Sequence, residues 1–393
     1  MSAFDARRAL NFASSISRPR LCGTTEERVV AGEVREALAG AGWAVEEENF
    51  EFRPAADSML RISLFLTHLG LAAIGLGLWK DVRLAWGGLA YLGVLAILLP
   101  WLIRRTFDAT IRDCGASDPP RKGWIRSSNL IATADGPAGS PQFVFMAHYD
   151  SKSQSLSLGG RIALFRWART AAFCFLGAAL ARLLLNPDLP IEVIAVAGVL
   201  VLLLSLPLYL LRTHNKSPGA MDNASGVGAV VEMARIWKSL PASRRARAIF
   251  LAVSGEEFGM TGSQAWVKRH IDALRQEKRL RVLNFDGVGY AGAVWVVPAR
   301  GPESGGVSMS DAVVAAGKGV GVSVGSFPPS IGLMTDHASF TRERLACATL
   351  LTHSWLAKRL HTAADAPETL RVEGFEKVGK VALRLVEDLG RVE

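Results

Sequence analysis

The stretch Ala248-Ile249-Phe250-Leu251-Ala252-Val253-Ser254-Gly255-Glu256-Glu257-Phe258-Gly259 decides the fold class. Its apolar half, Ala248 to Val253, reads as a strand buried on both faces, the pattern of a parallel sheet. The run then stops at a glycine and two adjacent carboxylates, which repel each other unless a cation sits nearby or they point apart into different jobs. Working outward, Trp43 to Phe52, Asn129 to Ala134, Gln142 to Met146, Arg281 to Phe285, Ala293 to Val297 and Ala348 to Leu351 read as further strands. Helical periods fall between them. Thr24 and Glu27 form a capping box for a helix with Val30, Val34, Leu38 and Ala41 on one face, stopped by Gly40 and Gly42. Gly226 to Ser239 is a helix with Val230, Val231, Ala234 and Trp237 inward, and Phe375 to Gly390 is the last. Strands alternating with helices imply an α/β fold, with a mostly parallel or mixed central sheet and helices on both faces. Such a sheet places its site outside the carboxyl ends of its strands. His148 and Asp150, Glu256 and Glu257, and Asp286 all follow strands there.

The 393-residue chain is 50% hydrophobic and only 21% charged, which excludes disorder and a fibrous class and leaves apolar residues in excess for a soluble domain. The excess sits in Ile62 to Trp79, Leu84 to Ile103, Thr170 to Leu185 and Val193 to Leu211. These read as two transmembrane helical hairpins, since buried core helices usually carry shorter apolar runs. Arg182, near one end of the third, can snorkel to the interface. The expected organisation is one α/β domain in three pieces, 1–58, 106–161 and 214–393, interrupted by hairpins at 59–105 and 162–213. Met1 to Phe50 has no apolar run that would serve as a signal peptide, so the amino terminus is expected in the cytosol. Arg53, Arg61, Arg104, Arg105, Arg161, Arg166, Arg169, Arg212 and Lys216 flank the near-side ends, against Lys80 and Arg83 on the far side. The positive-inside rule then puts the soluble part on the cytoplasmic side. For the same reason the net charge of +9 points to membrane lipids rather than nucleic acid. Cys22, Cys114, Cys174 and Cys347 are too scattered for a metal knuckle or redox pair and are expected to be free thiols.

A pair of divalent metals needs nitrogen and carboxylate ligands on each ion, one shared carboxylate, open positions and a separate base. His148-Tyr149-Asp150 offers an imidazole with a carboxylate placed to hold its other nitrogen, although alone this is an ordinary strand end. Asp222 lies in Pro218-Gly219-Ala220-Met221-Asp222-Asn223-Ala224-Ser225-Gly226, where small residues permit close approach and the alternative is a helix-capping turn. Asp286 and His361, the latter in His361-Thr362-Ala363-Ala364-Asp365, complete the set.

Read in order, H-Y-D, P-G-A-x-D-N-A-S-G, S-G-E-E-x-G-x-x-G-S, N-x-D and H-T-x-x-D resemble the co-catalytic zinc peptidases of metallopeptidase family twenty-eight, which include aminopeptidase S, aminopeptidase Y and glutamate carboxypeptidase. The resemblance spans Asn129 to Asp365 apart from the second hairpin, with a weaker likeness before Phe52. It implies a zinc exopeptidase fold and a peptide substrate. Asp222 would bridge two zinc ions, one completed by His148 and Asp286, the other by Glu257 and His361. Glu256 would be the general base and acid, passing a proton from the zinc-activated water to the leaving amine, and Asp150 would orient His148. Adjacent glutamates in different environments can serve as ligand and base. Thr335-Asp336-His337 resembles the family's late site-lining segment, making Asp336 and His337 candidates for substrate contacts; for His337 and His353 the alternative is a structural histidine. The departure is the apolar hairpin between two ligands, where soluble relatives have a modest loop.

The expected function is therefore a membrane-anchored zinc aminopeptidase. Glutaminyl cyclisation on the same fold, a non-catalytic receptor module that has lost its ligands, and a transporter are the alternatives. The complete ligand set argues against the first two, and spans with little internal charge argue against the third. Orientation has its own check: a carboxy-terminal reporter that fluoresces only in the cytosol should light up, and a dark fusion would reverse the topology.

Overall fold

Alternation along Gln142–His148 sorts the core of the sheet-bearing part of the chain. In this computed structural model Phe143, Phe145 and Ala147 face one hydrophobic layer, and Val144 and Met146 face the other. The structure describes residues 3–119, 121–241, 245–299, 308–326 and 334–390, with the side chains of 107, 108, 355 and 356 outside that description. The elements in chain order are α1 (Ala6–Ile16), α2 (Thr25–Gly40), β1 (Val45–Phe52), α3 (Ala56–Lys80), α4 (Val82–Ala109), β2 (Ile111–Asp113), β3 (Ile125–Ala134), β4 (Gln142–His148), β5 (Ser153–Gln154), α5 (Leu158–Leu184), α6 (Ile191–Tyr209) and β6 (Thr213–His214). There follow α7 (Ser225–Ser239), β7 (Arg247–Val253), α8 (Thr261–Gln276), β8 (Leu280–Phe285), β9 (Ala293–Pro298), α9 (Met309–Gly319), β10 (Val324–Ser326), α10 (His337–Thr341), β11 (Cys347–His353) and α11 (Val372–Leu389). The chain divides into two units, Met1–Arg53 with Ile111–Leu158 and Thr213–Glu393, and Pro54–Thr110 with Gly159–Arg212.

In the first unit nine strands among the described residues form one sheet, ordered β10-β9-β11-β8-β4-β7-β3-β1-β2. Its centre, β11-β8-β4-β7, is parallel, while β3, β1 and β2 on one side and β9 on the other join antiparallel. The sheet is thus mixed, with the expected parallel part where both faces are covered. Helices α1, α2, α7, α9 and α11 pack on one face, and α8 and α10 on the other. The capping box at α2 forms: Thr24 Oγ1 accepts from the Glu27 N–H at 3.3 Å, and Glu27 Oε2 accepts from the Gly23 N–H at 2.9 Å. Helix α1 was not evident from sequence. Its inward residues Ala6, Ala9, Ala13 and Ile16 recur at helical spacing but are mostly small, and its start rests on Asp5 accepting from the Arg8 N–H at 2.9 Å. Strand β3 begins before Asn129 because Ser127 and Ser128, polar on paper, are buried, Ser127 donating to the Glu27 carboxylate.

The second unit holds four helices long and apolar enough to cross a membrane, Ala56–Lys80, Val82–Thr106, Leu158–Leu184 and Ile191–Tyr209. Phe65, Trp79, Ile97, Phe173, Leu185 and Leu203 are exposed on it, an apolar surface that water does not favour. Inside, Leu71, Ile74, Phe175, Ala179, Ile194 and Val201 pack together. Helices α3 and α4 approach closely at Gly77, where a Cβ would lie 2.1 Å from the Ala85 nitrogen. Arg182 donates to the Leu189 carbonyl in the turn after α5. The four cysteines are free.

Trp237 is the largest side chain of the main core. Fully buried, it meets Phe143, Phe145 and Phe250 at ring-centroid distances of 5.9, 5.3 and 6.1 Å, and its Nε1–H donates to the Ala246 carbonyl at 2.9 Å. Trp237→Ala should cost about 3–5 kcal/mol, read from urea denaturation followed by circular dichroism; a loss under about 1 kcal/mol would show that the cluster collapses around the gap.

Candidate metal centre

The polar residues gather where the parallel strands end. His148 is the last residue of β4, Asp286 follows β8, and Glu256 and Glu257 form a short 3-10 turn after β7. Gly255 makes that turn possible: its φ is +72°, and a Cβ there would meet Thr261 Oγ1 at 2.1 Å. Asp222 lies in the turn entering α7, with a cis peptide bond to Asn223. Asn223 joins this turn to the Asp286 loop, its Nδ2 donating to the Phe285 carbonyl at 2.8 Å and its Oδ1 accepting from the Gly287 N–H at 3.1 Å. His361 comes from the segment after β11 in a left-handed conformation, φ +61°, uncommon for a residue other than glycine.

The two oxygens of Asp222 face different imidazoles. Oδ1 is 3.2 Å from His148 Nε2, and Oδ2 is 3.1 Å from His361 Nε2. His148 Nε2 also lies 3.9 Å from Asp286 Oδ1 and 4.0 Å from Glu256 Oε2, and it is buried without a hydrogen bond of its own. His361 Nε2 is 3.2 Å from Glu257 Oε2. One donor atom each from His148, Asp222 and Asp286 lie within 4.8 Å of one another, and so do donor atoms from Asp222, Glu257 and His361. Ligands about 2.0 Å from a tetrahedral ion stand about 3.3 Å apart. The donor spacing and the orphaned imidazole nitrogen fit two adjacent divalent cations sharing Asp222.

The neighbouring glutamates sit in opposite fields. Burial pushes the Glu256 carboxyl well above its usual range, with His148 opposing and Glu257, Asp336 and Asp286 adding to the rise. Burial acts on Glu257 too, but His361 and Lys152 hold it down at about 2. Asp286 is raised by burial to about 7 despite His148, and burial raises Asp336 to about 6. Asp222 is held well below the carboxylate range, its burial outweighed by the two imidazoles.

Asp150 is fully buried. Its Oδ1 lies 3.4 Å from His148 Nδ1, its backbone carbonyl 3.2 Å from the same nitrogen, and its carboxylate accepts from the Glu256 and Glu257 N–H groups at 3.3 and 3.4 Å. Asp336 is buried with neither carboxylate oxygen hydrogen-bonded. His337 Nδ1 lies between the Thr335 and Thr349 hydroxyls at 2.6 and 2.8 Å, a structural setting, and His353 is exposed at the end of β11.

Residues 205–386 match the model of peptidase family M28. That match covers a little under half of the chain. The chain is 43% identical over 73 residues to aminopeptidase YwaD of Bacillus subtilis (strain 168), an alignment covering 19% of this chain and 15% of the relative. Among solved structures it resembles an aminopeptidase from Aneurinibacillus sp. strain AM-1, with TM-score 0.59 and 15% identity over 99% of this chain and 95% of that one. The zinc aminopeptidase BSAP of Bacillus subtilis gives 0.57 and 14% over 99% and 96%, and an Acidobacteriales bacterium glutaminyl cyclase 0.56 and 12% over 99% and 96%. These structural likenesses, at such low identity, show the fold alone.

Three residues support the donors from behind. Arg20, wholly buried, donates from Nε to the Tyr149 carbonyl at 2.5 Å, from Nη1 to that of Pro218 at 2.5 Å and from Nη2 to that of Gly219 at 2.9 Å, tying the His148 loop to the Asp222 loop. Burial pulls its guanidinium down to about 10 against Asp150, Asp365 and Asp222, which leaves it charged at neutral pH. Asp365 was noticed only as part of H-T-x-x-D; its carboxylate accepts from the Met221 and Asp222 N–H groups at 2.8 and 3.1 Å. Lys152 contacts Glu257. An arginine in a stretch such as Arg18-Pro19-Arg20 gives no sequence signal, because its partners are backbone carbonyls. Arg20→Met takes the donor from the carbonyls of Arg18, Tyr149 and Pro218, at about 1–3 kcal/mol each, while that of Gly219 keeps the Ala224 N–H at 3.0 Å. Chemical denaturation should register a loss of at least about 3 kcal/mol, and an unchanged midpoint would mean that water replaces the guanidinium.

Proposed function

We propose that this chain is a membrane-anchored, zinc-dependent aminopeptidase in which Asp222 bridges two zinc ions, His148 and Asp286 completing one and Glu257 and His361 the other. The observation that carries this reading is the pairing of each Asp222 oxygen with a different imidazole at 3.1–3.2 Å. The match of residues 205–386 to the model of peptidase family M28 and the zinc aminopeptidase BSAP among the fold neighbours support the metal. When bound, the ions supply Lewis-acid polarisation of the scissile carbonyl and a water acidic enough to ionise near neutral pH.

The chain's own residues do the rest. Glu256, outside both donor triads and beside them, accepts the proton of the attacking water and returns it to the leaving amine. Its environment favours the protonated form, opposite to that of Glu257, so one glutamate shuttles protons while its neighbour stays an anionic ligand. Asp150 fixes the ring of His148 through Nδ1 and holds the Glu256-Glu257 turn by its N–H groups. Asp336, with its unpaired carboxylate, is the residue we assign to the substrate side.

The four apolar helices are read as two hairpins spanning the bilayer, with lipid against their exposed faces and the catalytic unit in the cytosol, as the arginines at their near-side ends favour. Substrates are then peptides available at or near the cytoplasmic face. Zinc content and a panel of chromogenic aminoacyl substrates test the reading on the full chain and Glu256→Gln. Two zinc ions are expected in both, with turnover at least about 100-fold lower in the variant. Full turnover by Glu256→Gln would remove the base, and cyclisation of amino-terminal glutamine without aminopeptidase turnover would make the chain a glutaminyl cyclase.

A further inference from the structure

The two donor triads share Asp222 but do not stand in the same field. Around His148 and Asp286 the neighbours are acidic: Glu256 lies 4.0 Å from His148 Nε2, and Asp336 is buried nearby with no hydrogen bond to its carboxylate. Around Glu257 and His361 there is a cation. Lys152 Nζ lies 3.1 Å from Glu257 Oε2, the same oxygen that faces His361 Nε2 at 3.2 Å. The ammonium is not a mobile surface group. Its Nζ also donates to the Glu257 backbone carbonyl at 2.6 Å, the Lys152 N–H donates to Glu257 Oε1 at 3.1 Å, and the lysine side chain is 11% exposed.

Resting on the two-zinc reading, we propose that Lys152 makes the Asp222/Glu257/His361 position the weaker and exchangeable of the two metal sites, leaving the His148/Asp222/Asp286 position to fill first. A divalent ion entering beside Glu257 meets a fixed positive charge held on its ligand oxygen, in a dry pocket where such repulsion is poorly screened. Either the ammonium moves away and gives up its two contacts to Glu257, or it stays and repels the ion; both weaken binding. No such cost applies at the other position, whose surplus carboxylates attract the first ion. At limiting zinc the chain then carries one ion, and the second is the one a competing chelator removes.

Zinc titration of the metal-stripped full chain in detergent tests this by calorimetry. The wild type should take up zinc in two steps at least about tenfold apart, equivalent to about 1.4 kcal/mol. Lys152→Met should tighten the weaker step about tenfold and leave the stronger one unchanged, whereas Lys152→Arg should keep the gap. His361→Ala should delete the weaker step alone. An unchanged gap in Lys152→Met, or loss of the weaker step in Asp286→Ala instead, would overturn the proposal. Lys152→Gln, checked by circular dichroism, stands in should Lys152→Met fail to fold. No zinc uptake by any form would bring down the two-zinc reading itself, a result distinct from two ions that ignore Lys152.

Discussion

Everything at the carboxyl edge of the sheet depends on crowding negative charge into a place without water. Asp150, Asp222, Glu256, Glu257, Asp286 and Asp336 come from five separate parts of the chain and are buried or nearly so. Carboxylates do not converge in a dry site unless something positive compensates them. Two imidazoles, the guanidinium of Arg20 and the ammonium of Lys152 supply part of that charge from within the protein, and the donor groups around Asp222 are spaced to take divalent cations for the rest. The covalent framework answers to the same need: Asn223, Asp365 and Arg20 spend their hydrogen bonds on holding loop backbones in place rather than on one another.

The sheet is what makes this crowding tolerable. Four parallel central strands, packed through Phe143, Phe145, Phe250 and Trp237 on one face and Met146, Leu251 and Trp266 on the other, give the ligand-bearing loops a rigid base. Ligands at the ends of such strands have little freedom to relax away from one another, so strain of the kind seen at His361 persists.

Much of this was legible in the residues. Continuous apolar runs marked the parallel strands, because a strand buried on both faces has no polar side to show. Glycines beside paired acids marked the turn at Glu256, and the four long apolar stretches stood out by length alone. What stayed hidden has a common cause. Helix α1 buries Ala6, Ala9, Ala13 and Ile16, a short face of mostly small residues; Ser127 and Ser128 look like loop residues but are buried, Ser127 against Glu27; Arg20 and Lys152 act through contacts far apart in sequence. Local pattern reports burial and turns well, and reports poorly on polar groups whose partners arrive from elsewhere in the chain.

One feature of the chain order bears on how the centre is put together. The sequence leaves the catalytic unit after Leu158 and re-enters it at Thr213, so everything between His148 and Asp222 that is not sheet or loop is a pair of long apolar helices. Parity then matters. If the two helices each cross a bilayer, as proposed above, an even number of crossings returns both halves of the proposed centre to one compartment, and a single failed crossing would maroon Asp222, Glu257, Asp286 and His361 across the bilayer from His148. On that reading completion of the centre doubles as proofreading of membrane integration, since a chain threaded wrongly could not assemble it.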